Sequence, residues 1–370
     1  MESPRIAYVI TDMHTGGVPL HLLRLAVAMR ERGYEPHVVS LAPPGAVSQR
    51  LRDEQIPTYA CDADGPMDLR VFLRLARHLR RIAPGLVHSF LFHANVASRV
   101  AVPLSGHSPR KLITEIQTVE TQRRWHLTVG GMTHRLGYCV VANSKAVLEH
   151  LHHRAHMARS RLRCIPGGVD LNRMRQAPPI DPESVGIRSG SSVLLWVGRL
   201  DPVKGLDELL DAFAEIAQET GAQLLIVGEG AYEQQVRRRI THNNLQHKVV
   251  MLGRRDDVPG LLRLADVFAF PSHTEGMPNA LLEAMACGRP LVTTDVPGCR
   301  DIIAHEQTGL LVPPRDTEAL ASALKRLLLD RTLAEQLGRR AAEQVEAHHS
   351  FDQCVQRYAS LYQEVSLAVP

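Results

Sequence analysis

Residues 272–288 read Ser-His-Thr-Glu-Gly-Met-Pro-Asn-Ala-Leu-Leu-Glu-Ala-Met-Ala-Cys-Gly, with two carboxylates, Glu275 and Glu283, seven residues apart in between. Glu275 sits in a turn made by Gly276 and Pro278, and Glu283 lies in an apolar run of helical character. A helix that starts near Pro278 leaves the backbone N–H groups of Gly276, Met277 and Asn279 exposed at its positive end, a seat for a phosphate or another anion. Glu283, further along the helix, cannot reach the same ligand atoms as Glu275. A ligand that touches both carries hydroxyls at either end and an anion between them, which is the outline of a nucleotide sugar. The preceding run, Val267-Phe268-Ala269-Phe270-Pro271, reads as a buried strand. The glutamate turn therefore hangs from the carboxyl end of a strand and opens a helix, where open α/β sheets bind ligands.

The same alternation runs through the chain. Strands are expected at Ile6–Ile10, His37–Leu41, Leu86–Phe90, Lys111–Ile116, Tyr138–Ala142 and Leu162–Ile165. A second series falls at Val193–Val197, Gln223–Val227, Val249–Leu252, Val267–Phe270, Leu291–Thr294 and Gly309–Val312. Helical periodicity fills the gaps, as in Leu206, Leu209, Leu210, Phe213, Ile216 and Ala217. Short strands alternating with helices imply an α/β protein with parallel sheets covered on both faces. Between the two series, Asn172 to Gly190 contains Pro178, Pro179 and Pro182 and little apolar periodicity, which reads as a linker. The expected organisation is a domain over 1–170, a linker over 171–191, a domain over 192–350 and a terminal helix over 351–370. That helix shows an apolar face of Cys354, Tyr358, Leu361, Tyr362 and Val365.

Composition narrows the class. A chain of 370 residues, 44% hydrophobic, suits two domains better than one. No apolar stretch approaches a membrane span, and Met1 to Ile10 has no signal-peptide pattern. The six cysteines are scattered with no C-x-x-C pair, so neither zinc nor a disulfide framework is implied, and a reducing cytoplasm is the simplest compartment. Residues 1–170 hold 22 Lys and Arg against 13 Asp and Glu, a charge of +9, while the remainder carries −5. A basic first half suits an anionic membrane surface or a phosphorylated substrate. Aromatic residues are 4% of the chain and do not interleave with a basic cluster, which argues against single-stranded nucleic acid.

Three further segments carry chemistry. Val197-Gly198-Arg199-Leu200-Asp201-Pro202-Val203-Lys204-Gly205 follows the first strand of the second series. Arg199 offers a planar fork for phosphate oxygens and Lys204 a point charge. Asp12-Met13-His14-Thr15-Gly16-Gly17-Val18-Pro19 follows the first strand, and Gly16 and Gly17 leave the next helix N-terminus bare. It does not spell G-x-G-x-x-G, so a nicotinamide site is not supported. Gly253-Arg254-Arg255-Asp256-Asp257 ends another strand, and the aspartates read as the N-cap of a helix over Val258–Leu264. Asp62-Ala63-Asp64 is the lone D-x-D and sits in a Gly/Pro loop, a weak metal signal.

The glutamate pair with its seven-residue spacing, the G-R-L-x-x-x-K-G run at Gly198–Gly205 and the Gly228-Glu229-Gly230 turn together resemble retaining GT-B glycosyltransferases of family 4, over essentially the whole chain. The resemblance implies two Rossmann-like domains facing across a cleft, with the terminal helix crossing back to the first. It implies that the second domain holds a nucleoside-diphosphate sugar, most commonly a UDP-sugar. Glu283 would meet ribose hydroxyls, Arg199 and Lys204 the diphosphate, and Glu275 with Gly276, Met277 and Asn279 the sugar; catalysis would rest on Glu275, Arg199 and Lys204. Gly16 and Gly17 would approach the diphosphate, and the backbone around Arg254 or Arg255 the base. No metal is expected, because cations and helix N-termini carry the diphosphate charge. One departure stands out. Relatives often carry a His after the strand matching Leu112–Ile116, and here that position is Gln117, whose amide cannot be a general base. His93, Gln117 and Arg124 are candidates for acceptor contacts, as are His88 and the basic run from Arg123 to His126. The acceptor is expected to be a glycan or lipid-linked molecule, and the protein to be cytoplasmic, with peripheral association at the inner face of the cell membrane through its first domain. A binding-only protein or a sugar-nucleotide epimerase of the same fold is the alternative.

Overall fold

A computed structural model of the chain describes residues 4–65, 68–119, 124–178 and 180–368. The chain divides into two compact units, one of Met1–Pro166 with Cys354–Pro370 and one of Gly167–Gln353.

The first unit carries strands β1 Arg5–Ile10, β2 Glu35–Ser40, β3 Thr58–Ala60, β4 Leu86–Phe90, β5 Leu112–Ile116, β6 Cys139–Ala142 and β7 Leu162–Cys164. They form a parallel sheet of order β3-β2-β1-β4-β5-β6-β7. Residue pairs such as Ile6 with Pro36 on one side and Leu86 on the other set the register of the central strand. β1 is buried from Ile6 to Ile10, which is why it reads as a continuous apolar run rather than an alternation, and β4 is buried throughout although it carries His88 and Ser89. Order reverses between β1 and β4, so their carboxyl ends part and open a crevice. β3 escaped the sequence reading. Three half-buried residues at a sheet edge, just after Pro57, are too short to show a period.

The second unit carries β8 Val193–Val197, β9 Gln223–Val227, β10 Val249–Gly253, β11 Val267–Phe270, β12 Leu291–Thr294 and β13 Leu310–Val312, in the order β10-β9-β8-β11-β12-β13. Helices pack both faces. Leu209, Leu210 and Phe213 of the helix Leu206–Thr220 join one core with Leu194 and Trp196. Leu281, Leu282 and Met285 join the other with Leu195, Phe268 and Phe270. Here too the order reverses, between β8 and β11.

The segment 171–191, expected as a linker, belongs to the second unit. Asp170 caps a short helix, Leu171–Gln176, by accepting from the Arg173 N–H at 3.0 Å. Met174, Val185 and Ile187 are buried against Val193 and Leu225. Its apolar residues are spaced irregularly among prolines, so burial leaves no periodic trace; Pro179 lies outside the described residues. The chain division falls instead at Pro166 and Gly167. A Cβ on Gly168 would stand 2.6 Å from the Ser350 carbonyl oxygen, and Val169 exchanges backbone bonds with His349 and Phe351.

The last helix, Phe351–Ala368, buries Cys354, Tyr358, Leu361, Tyr362 and Val365. Beneath it lies a polar network inside the first unit. Tyr358 donates to Glu115 Oε2 at 2.8 Å, and the Tyr362 hydroxyl meets His88 Nδ1 at 2.8 Å. Glu115 is fully buried, which pushes its carboxyl upward, yet His88, His21 and Gln117 outweigh that and hold it below the usual range. Burial pulls the His21 imidazole down to about 4.

Candidate functional site

The loops leaving β8, β9, β10 and β11 converge in the second unit. Gly228, at φ +140°, passes so close to the β8 loop that a Cβ would stand 1.7 Å from the Gly198 carbonyl oxygen. Gly205, at φ +68°, would place a Cβ 2.0 Å from the Pro271 carbonyl oxygen. No other residue tolerates either position, because the backbone is left-handed there and the neighbour is unyielding main chain. The His273 N–H donates to the Val203 carbonyl at 2.8 Å, and the His273 ring meets Glu208 Oε1 at 2.9 Å. The β8 and β11 loops are thus held together, and Lys204 and Glu275 meet as a consequence.

Lys204 Nζ donates to Glu275 Oε1 at 2.6 Å, with the two side chains 18% and 10% exposed. The ammonium also lies 5.5 Å from the centre of the Phe270 ring. Lys204 is thus largely withdrawn from solvent. Arg199 does stand out, with 72% of its side chain exposed and Asp201 Oδ2 at 3.0 Å. Glu275, expected to face a ligand, is turned onto Lys204. The helix Asn279–Ala286 starts after Pro278, a few residues past Glu275, and no side chain caps its first N–H groups. Gly298 packs under this turn, where a Cβ would come within 2.5 Å of the Glu275 and Gly276 carbonyl oxygens. Gly276 and Met277 are buried, Asn279 is exposed and Glu283 is half-buried one turn along.

Arg254 is exposed at the end of β10, with Nη1 3.9 Å from Glu229 Oε1. Asp257 occupies the N-cap position of the helix Val258–Leu264 but its carboxylate does not cap it. It pairs with Arg255 instead, at 2.8 Å from Nε, because the guanidinium two residues back outcompetes the helix N–H groups. Asp64 is likewise held by Arg70 at 2.8 Å. Among the described residues, no group of three His, Cys, Asp or Glu side chains could hold a metal ion.

In the first unit, Gly16 caps the helix Gly17–Glu31, whose first turn lacks a side-chain cap and an acidic residue. Gly16 and Gly17 therefore belong to a different unit from Arg199 and Lys204. Gln117 donates to Glu115 Oε1 at 2.5 Å, so its amide is committed to the buried network. His88 is 0% exposed inside that network and is a structural group, which removes it from the acceptor candidates. His93 lines a cavity of about 530 Å³ at the ends of β1 to β4. Arg124 opens the helix Arg124–Thr133, with its side chain outside the described residues, as is Arg123 altogether. Around His93 stand aromatic groups: Trp125 and His126, from the run singled out in the sequence, and Phe92, which the sequence reading did not single out. His126 stacks on Phe92 at 3.8 Å, and Trp125 meets Phe92 edge-on at 5.1 Å. Phe92 and Trp125 lie 33 residues apart, and nothing in the local pattern joins them.

Residues 15–173 match Glycosyltransferase Family 4, and residues 179–344 match Glycosyl transferases group 1. The chain belongs to the family 4 glycosyltransferases of the GT-B fold. The N-acetyl-alpha-D-glucosaminyl L-malate synthase of Bacillus anthracis is 33% identical over 49% of this chain and 47% of its own length. This chain thus spans about half the length of that relative. The UDP-Gal:alpha-D-GlcNAc-diphosphoundecaprenol alpha-1,3-galactosyltransferase of Escherichia coli is 27% identical over 75% of each chain. GDP-mannose-dependent mannosyltransferases match as well. Among solved structures, Anabaena HepE in complex with UDP and glucose superposes with a TM-score of 0.87 at 21% identity, covering 98% of this chain and 100% of that one. That likeness establishes the fold. Among the described residues, no helix is long and apolar enough to cross a membrane.

Proposed function

We propose that this protein transfers a hexosyl or N-acetylhexosaminyl group from a UDP-sugar to a glycan or lipid-linked acceptor, with retention at the anomeric carbon. The observation that carries this reading is the Lys204–Glu275 pair, set beside Arg199 and an uncapped helix N-terminus at the carboxyl ends of β8 and β11. Arg199 and Lys204 take the diphosphate, and Glu283 accepts from the ribose hydroxyls. Glu275 and the amides of Gly276, Met277 and Asn279 hold the sugar. The anomeric C–O bond to phosphate breaks, its electron pair leaves on the diphosphate, and the cations stabilise that charge. The acceptor oxygen attacks the same face, and its proton passes to the departing phosphate oxygen. The loop at Gly16 and Gly17 and the backbone near Arg254 are proposed for the diphosphate and the base, and His93, Arg124 and the backbone carbonyl of Gln117 for the acceptor. No side chain in this scheme requires a metal.

A UDP donor is favoured by the HepE complex and the galactosyltransferase, while the mannosyltransferase relatives make GDP the comparison to run. Action at the inner face of the cell membrane is supported by the basic first half of the chain. Calorimetry with UDP and GDP, followed by turnover of a nucleotide-sugar panel in excess EDTA with the product anomer read by NMR, tests the proposal. Binding of neither nucleotide, or an inverted product, refutes it.

A further inference from the structure

We infer that the acceptor is an amphiphile, and that its hydrocarbon portion seats in the cavity of the first unit. This rests on the glycosyltransferase reading and names the class of molecule that the first unit receives. The cavity measures about 530 Å³ and lies at the carboxyl ends of β1, β2, β3 and β4, on the crevice where strand order reverses. That is the ligand position of open α/β sheets.

Its walls decide the chemistry. Apolar side chains make most of the lining, Leu41, Val71, Phe72, Phe92, Val96 and Trp125 among them. A site built for a sugar alone needs hydrogen-bonding side chains around the ring, whereas these groups offer carbon. The one carboxylate in the apolar wall, Asp68, is neutralised by Arg70 at 2.9 Å and Arg74 at 3.2 Å. Polar groups gather at one end, where Thr11, Asp12, His14 and His93 follow β1 and β4. The cavity is therefore polar at the strand ends and apolar toward the helix Arg70–Ile82, the division that an amphiphile requires.

Two further observations point the same way. Leu69 and Trp125 line the cavity and yet stand 70% and 55% exposed, an apolar rim left in water. Leu91 holds φ 72° and ψ 156°, a conformation that costs a non-glycine residue about 1–3 kcal/mol and is found at ligand sites. It is the residue that turns the chain so that Phe92 and His93 enter the cavity.

The chain's two tryptophans make the test direct. Trp196 is 0% exposed in the second unit, so fluorescence changes on ligand addition report Trp125. The probes are monomeric n-alkyl glucosides of increasing chain length, with free glucose as the short control. The expected result is a saturable blue shift with affinity rising by about fourfold per added methylene. Leu69→Glu, at an exposed position, and Phe72→Glu should each weaken dodecyl glucoside at least tenfold, with UDP affinity reporting that the fold survives. Chain-length-independent affinity, or free glucose binding as well as the alkyl glucosides, overturns the proposal. So does concentration-dependent dimerisation that Leu69→Glu abolishes while alkyl binding is absent, which assigns the rim to a second copy. Loss of UDP binding in the unmodified protein would instead remove the donor reading, so the two failures are separable.

Discussion

Replacing Glu275 with glutamine should tighten nucleoside-diphosphate binding while slowing turnover. The Glu275 carboxylate holds the Lys204 ammonium at 2.6 Å, with little solvent around either side chain. A diphosphate that recruits Lys204 must take it from Glu275. A hydrogen bond between charged groups is worth ~1.5–3 kcal/mol, and a glutamine carbonyl retains part of it. With 1.4 kcal/mol per tenfold, removal of the competing charge should lower the UDP dissociation constant by about tenfold. Turnover should move the opposite way, because the same carboxylate is then missing from the sugar. Calorimetry with UDP on the unmodified protein, Glu275→Gln and Glu208→Gln supplies the answer. Glu208 pairs with His273 at 2.9 Å, so its variant removes one local negative charge without releasing Lys204. Unchanged or weaker UDP binding in Glu275→Gln refutes the partner exchange. Equal tightening in both variants refutes it too, because a general charge effect would then suffice.

Arg199→Ala should cost ~2–4 kcal/mol of transition-state stabilisation, read as a fall in kcat/KM, with an unchanged melting temperature because the side chain is exposed. Glu283→Gln should raise the donor KM and leave kcat nearly intact; unchanged donor affinity by calorimetry would remove Glu283 from the ribose. Lowering the pH from 6.5 toward 4 should destabilise the first unit by up to about 3 kcal/mol through His21 alone. Its folded pKa, about 4, lies below that of the unfolded chain, so the unfolded state binds the extra proton in that window and stability is lost as pH falls. Melting curves of His21→Phe should lose that slope, and an identical slope would place the titration elsewhere. Vesicles of phosphatidylglycerol should float the protein at low salt and release it at high salt, at about 1 kcal/mol per exposed basic residue. The face responsible is Leu73 with Arg77, Arg80 and Arg81, so Arg77→Glu combined with Arg81→Glu should abolish flotation, and salt-indifferent binding would reject the surface model.

The division between what sequence discloses and what it hides follows the range of the forces involved. β4, β8, β9, β11 and β12 were delimited to the residue because buried parallel strands are largely apolar runs, and most of their ends coincide with Gly, Pro or polar residues. Lys204 and the glutamate turn were legible for the same reason: each is attached to the end of such a strand. Their contact was not. Residues 71 apart meet only because β8 and β11 are neighbours and because His273 binds the Val203 carbonyl, and neither fact has a local signature. The same limit explains Asp257, whose position predicts a cap, until the geometry of Arg255 decides the competition. It explains His88 as well, whose burial depends on a helix 274 residues away that supplies Tyr362. The apolar cavity is the furthest from local pattern. Phe72, Phe92 and Trp125 sit on three different helices, and Phe72 and Phe92 alone read as two more core residues. Only the sheet order, which parts β1 from β4, turns those side chains from the interior of the unit to the wall of a site. A motif search that stops at strand ends finds the cations and glutamates of the second unit and passes over the apolar cavity of the first.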